Sequence, residues 1–74
     1  MLKSNLSQLD LSERDLSGCD LTEATLLGTN LHGSNLQNCA LDKANLESAD
    51  LAATDLSRSR LLEANLQKAK LVKT

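Results

Sequence analysis

The sequence predicts an all-β solenoid, and three observations predict it. A leucine stands at every fifth position, a small residue stands two places before nearly every leucine, and Asp or Asn usually stands between them. A period of five matches neither the 3.6-residue face of an α-helix nor the two-residue face of a straight strand. On a helix, successive leucines would lie about 140° apart and ring the axis, so no apolar face would form.

The leucines fall at Leu6, Leu11, Leu16, Leu21, Leu26, Leu31, Leu36, Leu41, Leu46, Leu51, Leu56, Leu61, Leu66 and Leu71 without a gap, and they are the expected core. On an extended backbone, residues two apart share a face. Each leucine and the small residue before it therefore point inward, and the Asp or Asn between them points out. From a leucine to the next small residue is three steps, which would flip the side chains of a straight strand to the opposite face. A corner must lie within that step. Gly18, Gly28, Gly33 and Asn38 all stand two places after a leucine, and these are residues that accept positive φ in a turn. A chain that turns the same way every five residues coils and stacks on itself.

As they stand, "ADLAA", "ANLES", "ANLQK" and "SNLQN" resemble the pentapeptide-repeat family, whose pattern is a small residue, Asp or Asn, Leu or Phe, and two variable residues. The resemblance covers residues 4–74 as a single domain, with residues 1–3 as a lead-in. It implies a right-handed quadrilateral parallel β-helix of four repeats per coil, hence about 3.5 coils of 20 residues.

Composition fits such a coil better than a globular core. The 74 residues are 41% hydrophobic yet contain no Phe, Tyr or Trp, so Leu and small residues must fill the interior. The net charge of −2 and the absence of a basic run suggest neither direct nucleic-acid binding nor a membrane surface. No apolar stretch reaches membrane-spanning length, and the repeat starts too early for a secretory leader. The expected setting is the cytoplasm.

A 20-residue register stacks Cys19 beneath Cys39, with Ser59 above. The expectation is a pair of reduced, buried thiols acting as small filler rather than a redox clasp. The small column is broken only at Leu9 and Arg14, both in the first coil, where Arg14 can reach water through the open mouth and discourage further stacking. At the other end Leu61, Leu66, Leu71 and Val72 would line an uncapped coil ringed by Lys68, Lys70 and Lys73. A flanking segment, another domain, a protein partner or a second copy forming a homodimer is expected to cover it.

The residues supply no constellation for catalysis, no cofactor motif and no metal-ligand set. His32 follows Leu31 on the outside with no acid or thiol partner, and reads as a solvated surface residue. Outward apolar residues are few: Leu27, Leu62 and Val72, with Ala52 beneath Val72. The resulting expectation is a non-enzymatic scaffold or protein-interaction module. The alternative implied by the resemblance is a DNA-mimicking topoisomerase (gyrase) inhibitor, which would need acidic columns that this chain interrupts with Thr25, Ala40, Arg60 and Lys70.

Overall fold

The computed structural model describes residues 3–72. Each side of the coil is so short between corners that it contributes one bridging residue, and every bridge is parallel and joins residues 20 apart. Four columns result: Asn5, Thr25, Asn45 and Asn65; Asp10, Asn30, Asp50 and Lys70; Asp15, Asn35 and Asp55; and Asp20, Ala40 and Arg60. The solenoid is four-sided and right-handed. Its Cα extents of 24 × 22 × 19 Å make it nearly as wide as it is tall.

Coils are joined through the backbone. On each side the leucine N–H donates up and the residue before it donates down, as when Leu26 N–H bonds Asn45 O at 2.7 Å and Thr25 N–H bonds Ser4 O at 2.8 Å. Between sides, the leucine carbonyl accepts the N–H three residues on, as from Ala24 to Leu21 at 3.0 Å, closing a β-turn. The third residue of the turn has positive φ at every fifth position from Lys3 to Lys68, the pattern of a type II turn.

Only three of these corners carry glycine; the others place residues such as Glu23 (φ 59°), Lys43 (φ 60°) and Ala53 (φ 59°) in the left-handed region. That conformation is costly for L-residues and persists where the surroundings over-determine it. Here the same residue's N–H donates to the coil above: Glu23 to Asp42 O at 2.9 Å and Lys43 to Leu62 O at 2.8 Å. Lys3, expected as lead-in, already takes the corner conformation (φ 57°) and bonds Thr22 O at 2.9 Å.

Leu26, Leu31, Leu36, Leu41, Leu46 and Leu51 are completely buried, and Ala24, Cys39, Ala44 and Ala49 fill the space beside them. Buried hydroxyls in the small column are all satisfied. Thr29, Ser34 and Thr54 donate to the carbonyls of Leu6, Leu11 and Leu31 in the coil below, at 2.6–2.7 Å. No buried side-chain N or O among the described residues lacks a partner.

The ends depart from the uniform core expected of the leucines. Leu6, Leu11, Leu16, Leu56, Leu61 and Leu66 are only partly buried, and Leu71 is 45% exposed. Cys19 is half-buried rather than buried, unlike Cys39. The reason is common to all: a terminal coil has a neighbour on one side only. Val72 is exposed as expected of an open end, and Lys73 lies outside the described residues.

The corners give a direct test. Gly18 has φ +74° and open space where a Cβ would go, so Gly18→Ala isolates the conformational cost and should destabilise by about 1 kcal/mol. Ala53→Gly, at an exposed corner with φ 59°, should stabilise by up to about 1 kcal/mol, the relieved strain outweighing the added chain entropy. Urea unfolding midpoints of the two variants would shift in opposite directions.

Candidate functional site

The outward Asp and Asn residues are occupied by local structure. In each, Oδ1 accepts the backbone N–H two residues on, as Asp10 does from Ser12 at 3.1 Å, Asn35 from Gln37 at 2.9 Å and Asp50 from Ala52 at 3.0 Å. This Asx bond holds the first residue of each corner. Where that residue is Ser or Thr and the acceptor is Asp, its hydroxyl adds a second bond: Ser12 to Asp10, Ser17 to Asp15, Thr22 to Asp20 and Ser57 to Asp55, at 2.6–2.8 Å. The hydroxyl bond first, and the N–H bond second, hold the carboxyls of Asp10, Asp15, Asp20 and Asp55 below the usual carboxylate range.

Thr25, Ala40, Arg60 and Lys70 break the column, and at Arg60 the break is repaired. Position 60 carries Arg, which cannot accept the N–H of Leu62, and Asp42 of the coil below reaches up instead, its Oδ1 taking that N–H at 3.1 Å. The other oxygen of Asp42 pairs with Arg60 Nη2 at 2.7 Å. Sequence reasoning missed this exchange. The signal was available in the 20-residue register, which puts Asp42 directly under Leu62. The register also stacks Lys3, Glu23, Lys43 and Glu63 in one corner column of alternating charge, with Lys3 and Glu23 3.9 Å apart.

No bridging column carries carboxylates on successive coils: Asp10 is followed by Asn30, Asp15 by Asn35 and Asp20 by Ala40. A wall that imitates regularly spaced phosphates is therefore not formed, and nothing in the surface favours the DNA-mimic alternative. His32 is exposed, and its backbone N–H donates to Asn30 Oδ1 at 3.0 Å. Among the described residues no group of three or more His, Cys, Asp or Glu could hold a metal ion, and no helix is long and apolar enough to cross a membrane.

The two thiols differ. Cys39 Sγ lies 3.0 Å from Leu16 O, in the hydrogen-bonding place that the hydroxyls of Thr29, Ser34, Thr54 and Ser59 take elsewhere in the column, and burial pushes its pKa up. Both cysteines are free.

The ends are the remaining feature. Leu62, Leu71 and Val72 are 67%, 45% and 60% exposed, and the backbone N–H groups of Leu56, Leu61 and Leu66 have no partner among the described residues. Of the residues expected to form an interface here, Leu61 and Leu66 are half-buried in the mouth and Leu71 and Val72 stand at its rim.

The family model described as pentapeptide repeats (8 copies) matches residues 4–42 and 39–74. The chain belongs to the pentapeptide-repeat family. Among solved structures it is similar to the pentapeptide repeat protein Rfr23 from the cyanobacterium Cyanothece 51142, with 27% identity over 93% of this chain and 61% of that one, at a TM-score of 0.68. It is also similar to alr5209, a pentapeptide repeat protein from Nostoc 7120, with 32% identity over 95% of this chain and 62% of that one, at a TM-score of 0.33. The chain thus spans less than two thirds of either relative. Comparison with curated proteins found no match. Pentapeptide-repeat proteins are generally non-enzymatic repeat scaffolds.

Two measurements follow from this surface. The folded state keeps Asp10, Asp15, Asp20 and Asp55 ionised to lower pH than the unfolded chain does. The stability they add is therefore complete above the unfolded carboxylate range near pH 4 and is lost as pH falls through the lowered values. Denaturation midpoints should drop on acidification through that window, and Asp→Asn at the four positions, which keeps the acceptor and removes the titration, should make the drop shallower. For the thiols, an intact mass should show two free cysteines, with Cys39 modified more slowly than Cys19 by a thiol reagent because burial suppresses its thiolate. A mass lower by two hydrogens would instead indicate a disulfide.

Proposed function

We propose that this pentapeptide-repeat protein is a scaffold that binds another protein, either a partner or a flanking domain of a longer chain, and that docking takes place at the open C-terminal end. The observation that carries the reading is the contrast between a filled interior and this end. Leu26 to Leu51 leave no space inside, so binding must use a wall or a mouth. Along the walls the outward Asp and Asn are spent on corner bonds. Of the five large apolar residues exposed among the described residues, Leu62, Leu71 and Val72 belong to the last coil.

The charges around that mouth define the partner's chemistry. Arg58, Arg60, Lys68 and Lys70 are all exposed on the last coil, against Asp55, Glu63 and the Asp42 that pairs with Arg60. A matching surface has an apolar centre, backbone acceptors for the unpaired N–H groups, and an acidic rim. A homodimer joining two C-terminal ends would bring the four cations of each copy together and is the weaker occupant. Two free cysteines suit a reducing setting such as the cytoplasm.

An amphipathic peptide with an acidic polar face is the direct probe. Titrated into isotopically labelled protein, it should shift backbone resonances of residues 53–72 and leave the first two coils unmoved. Lys68→Glu with Lys70→Glu should weaken binding at least tenfold. Shifts spread evenly along the walls, or binding unaffected by the charge reversal, would overturn the docking assignment.

A further inference from the structure

We infer that Leu9 and Arg14 form a built-in stop that keeps this chain from stacking head to tail on copies of itself, because its two ends otherwise match. The match has three parts. The first is charge: the opening coil carries Asp10, Glu13, Asp15 and Asp20 against Lys3 and Arg14, whereas the closing coil carries Arg58, Arg60, Lys68 and Lys70 against Asp55 and Glu63. The chain's own N-terminal coil thus has the acidic rim that the C-terminal mouth requires.

The second part is the backbone. Within the solenoid, leucine N–H groups donate upward and the residues before them donate downward. Among the described residues, the N–H groups of Leu56, Leu61 and Leu66 at the top, and of Asp10, Asp15 and Asp20 at the bottom, find no partner. Their directions are complementary, so another copy placed end on would meet donors with acceptors, as each internal coil does. The third part is shape, since all four sides of the coil share one corner geometry and both mouths have the same outline.

Leu9 and Arg14 spoil this fit. From Cys19 to Ala69 the inward small column contains only Ala, Ser, Thr and Cys, the sizes that fit between stacked leucines. Leu9 and Arg14 hold the same column positions in the first coil and are both exposed there. A coil stacked beneath would have to enclose a leucine where only small side chains fit, and a guanidinium with no carboxylate in the core to pair with it. Among the described residues no hydrogen bond or ion pair engages the Arg14 side chain, whose charge acts only weakly on Asp10; its backbone N–H donates to Ser34 Oγ at 3.3 Å and its carbonyl accepts from Asn35 at 2.9 Å.

Sedimentation equilibrium of the intact protein and of a Leu9→Ser, Arg14→Ala double variant tests this. Both positions are exposed, and an unchanged circular dichroism spectrum would verify the variant's fold. The parent should stay at the 8.0 kDa monomer mass across concentrations. The double variant should rise to at least twice that mass as concentration increases and fall back in high salt, where exposed charges are screened beyond a few Å. Adding Arg60→Glu and Lys70→Glu to the double variant should restore the monomer. Arg14→Ser alone, which clears one obstacle and leaves Leu9 in place, should assemble to an intermediate extent. A double variant that remains monomeric would show that the ends do not match. A parent that assembles as strongly as the variant, or a charge-reversed variant that still assembles, would equally overturn the inference.

Discussion

Everything in this structure depends on one backbone constraint: each corner must turn so that its N–H groups meet the carbonyls of the next coil. A side of the coil is too short to hold a strand ladder of its own, and each contributes a single bridge. The corner ladder, in which Gly28 bonds Glu47 O and Ser48 bonds Gln67 O at 2.9 Å, adds one coil-to-coil bond per corner to the two that each side supplies. Regularity of the corner is therefore what keeps the leucines stacked.

That constraint explains the division of labour among the residues. The leucine fills the interior, the small residue leaves room for its neighbours, and the Asp or Asn fixes the start of the corner by accepting an N–H two residues on. One exception obeys the same accounting of backbone groups. Where Arg60 replaces the usual acceptor, Asp42 serves from the coil below, and a charge pair is added to the bond. With wall residues committed in this way, the free valences of the molecule collect at its two ends, and so does its capacity for association.

The inward and outward columns and the corner position were legible from the residues, because a period of five with glycine at one phase admits few backbones. The positive φ of Glu23, Lys43 and Ala53 was not, since none of these residue types favours it. It is imposed by bonding to the coil above. The core expected from the leucine pattern was uniform, yet Leu71 and Cys19 are partly exposed, because a repeat in sequence says nothing of whether a neighbour stacks on it. The exposed rim at Leu71 and Val72 was legible in the sequence, but the unpaired backbone donors beside it were not, since they depend on which coil stacks on which.

The sequence by itself determined the repeating unit: which side chain points in, which points out, and where the chain bends, all of which are local matters of spacing and side-chain size. Only the tertiary structure decided what stands above and below each residue. Closure into 20-residue coils is a property of four successive corners together, and it alone brings Asp42 to Leu62, alternates Lys3, Glu23, Lys43 and Glu63, and leaves one acidic and one basic mouth unpaired.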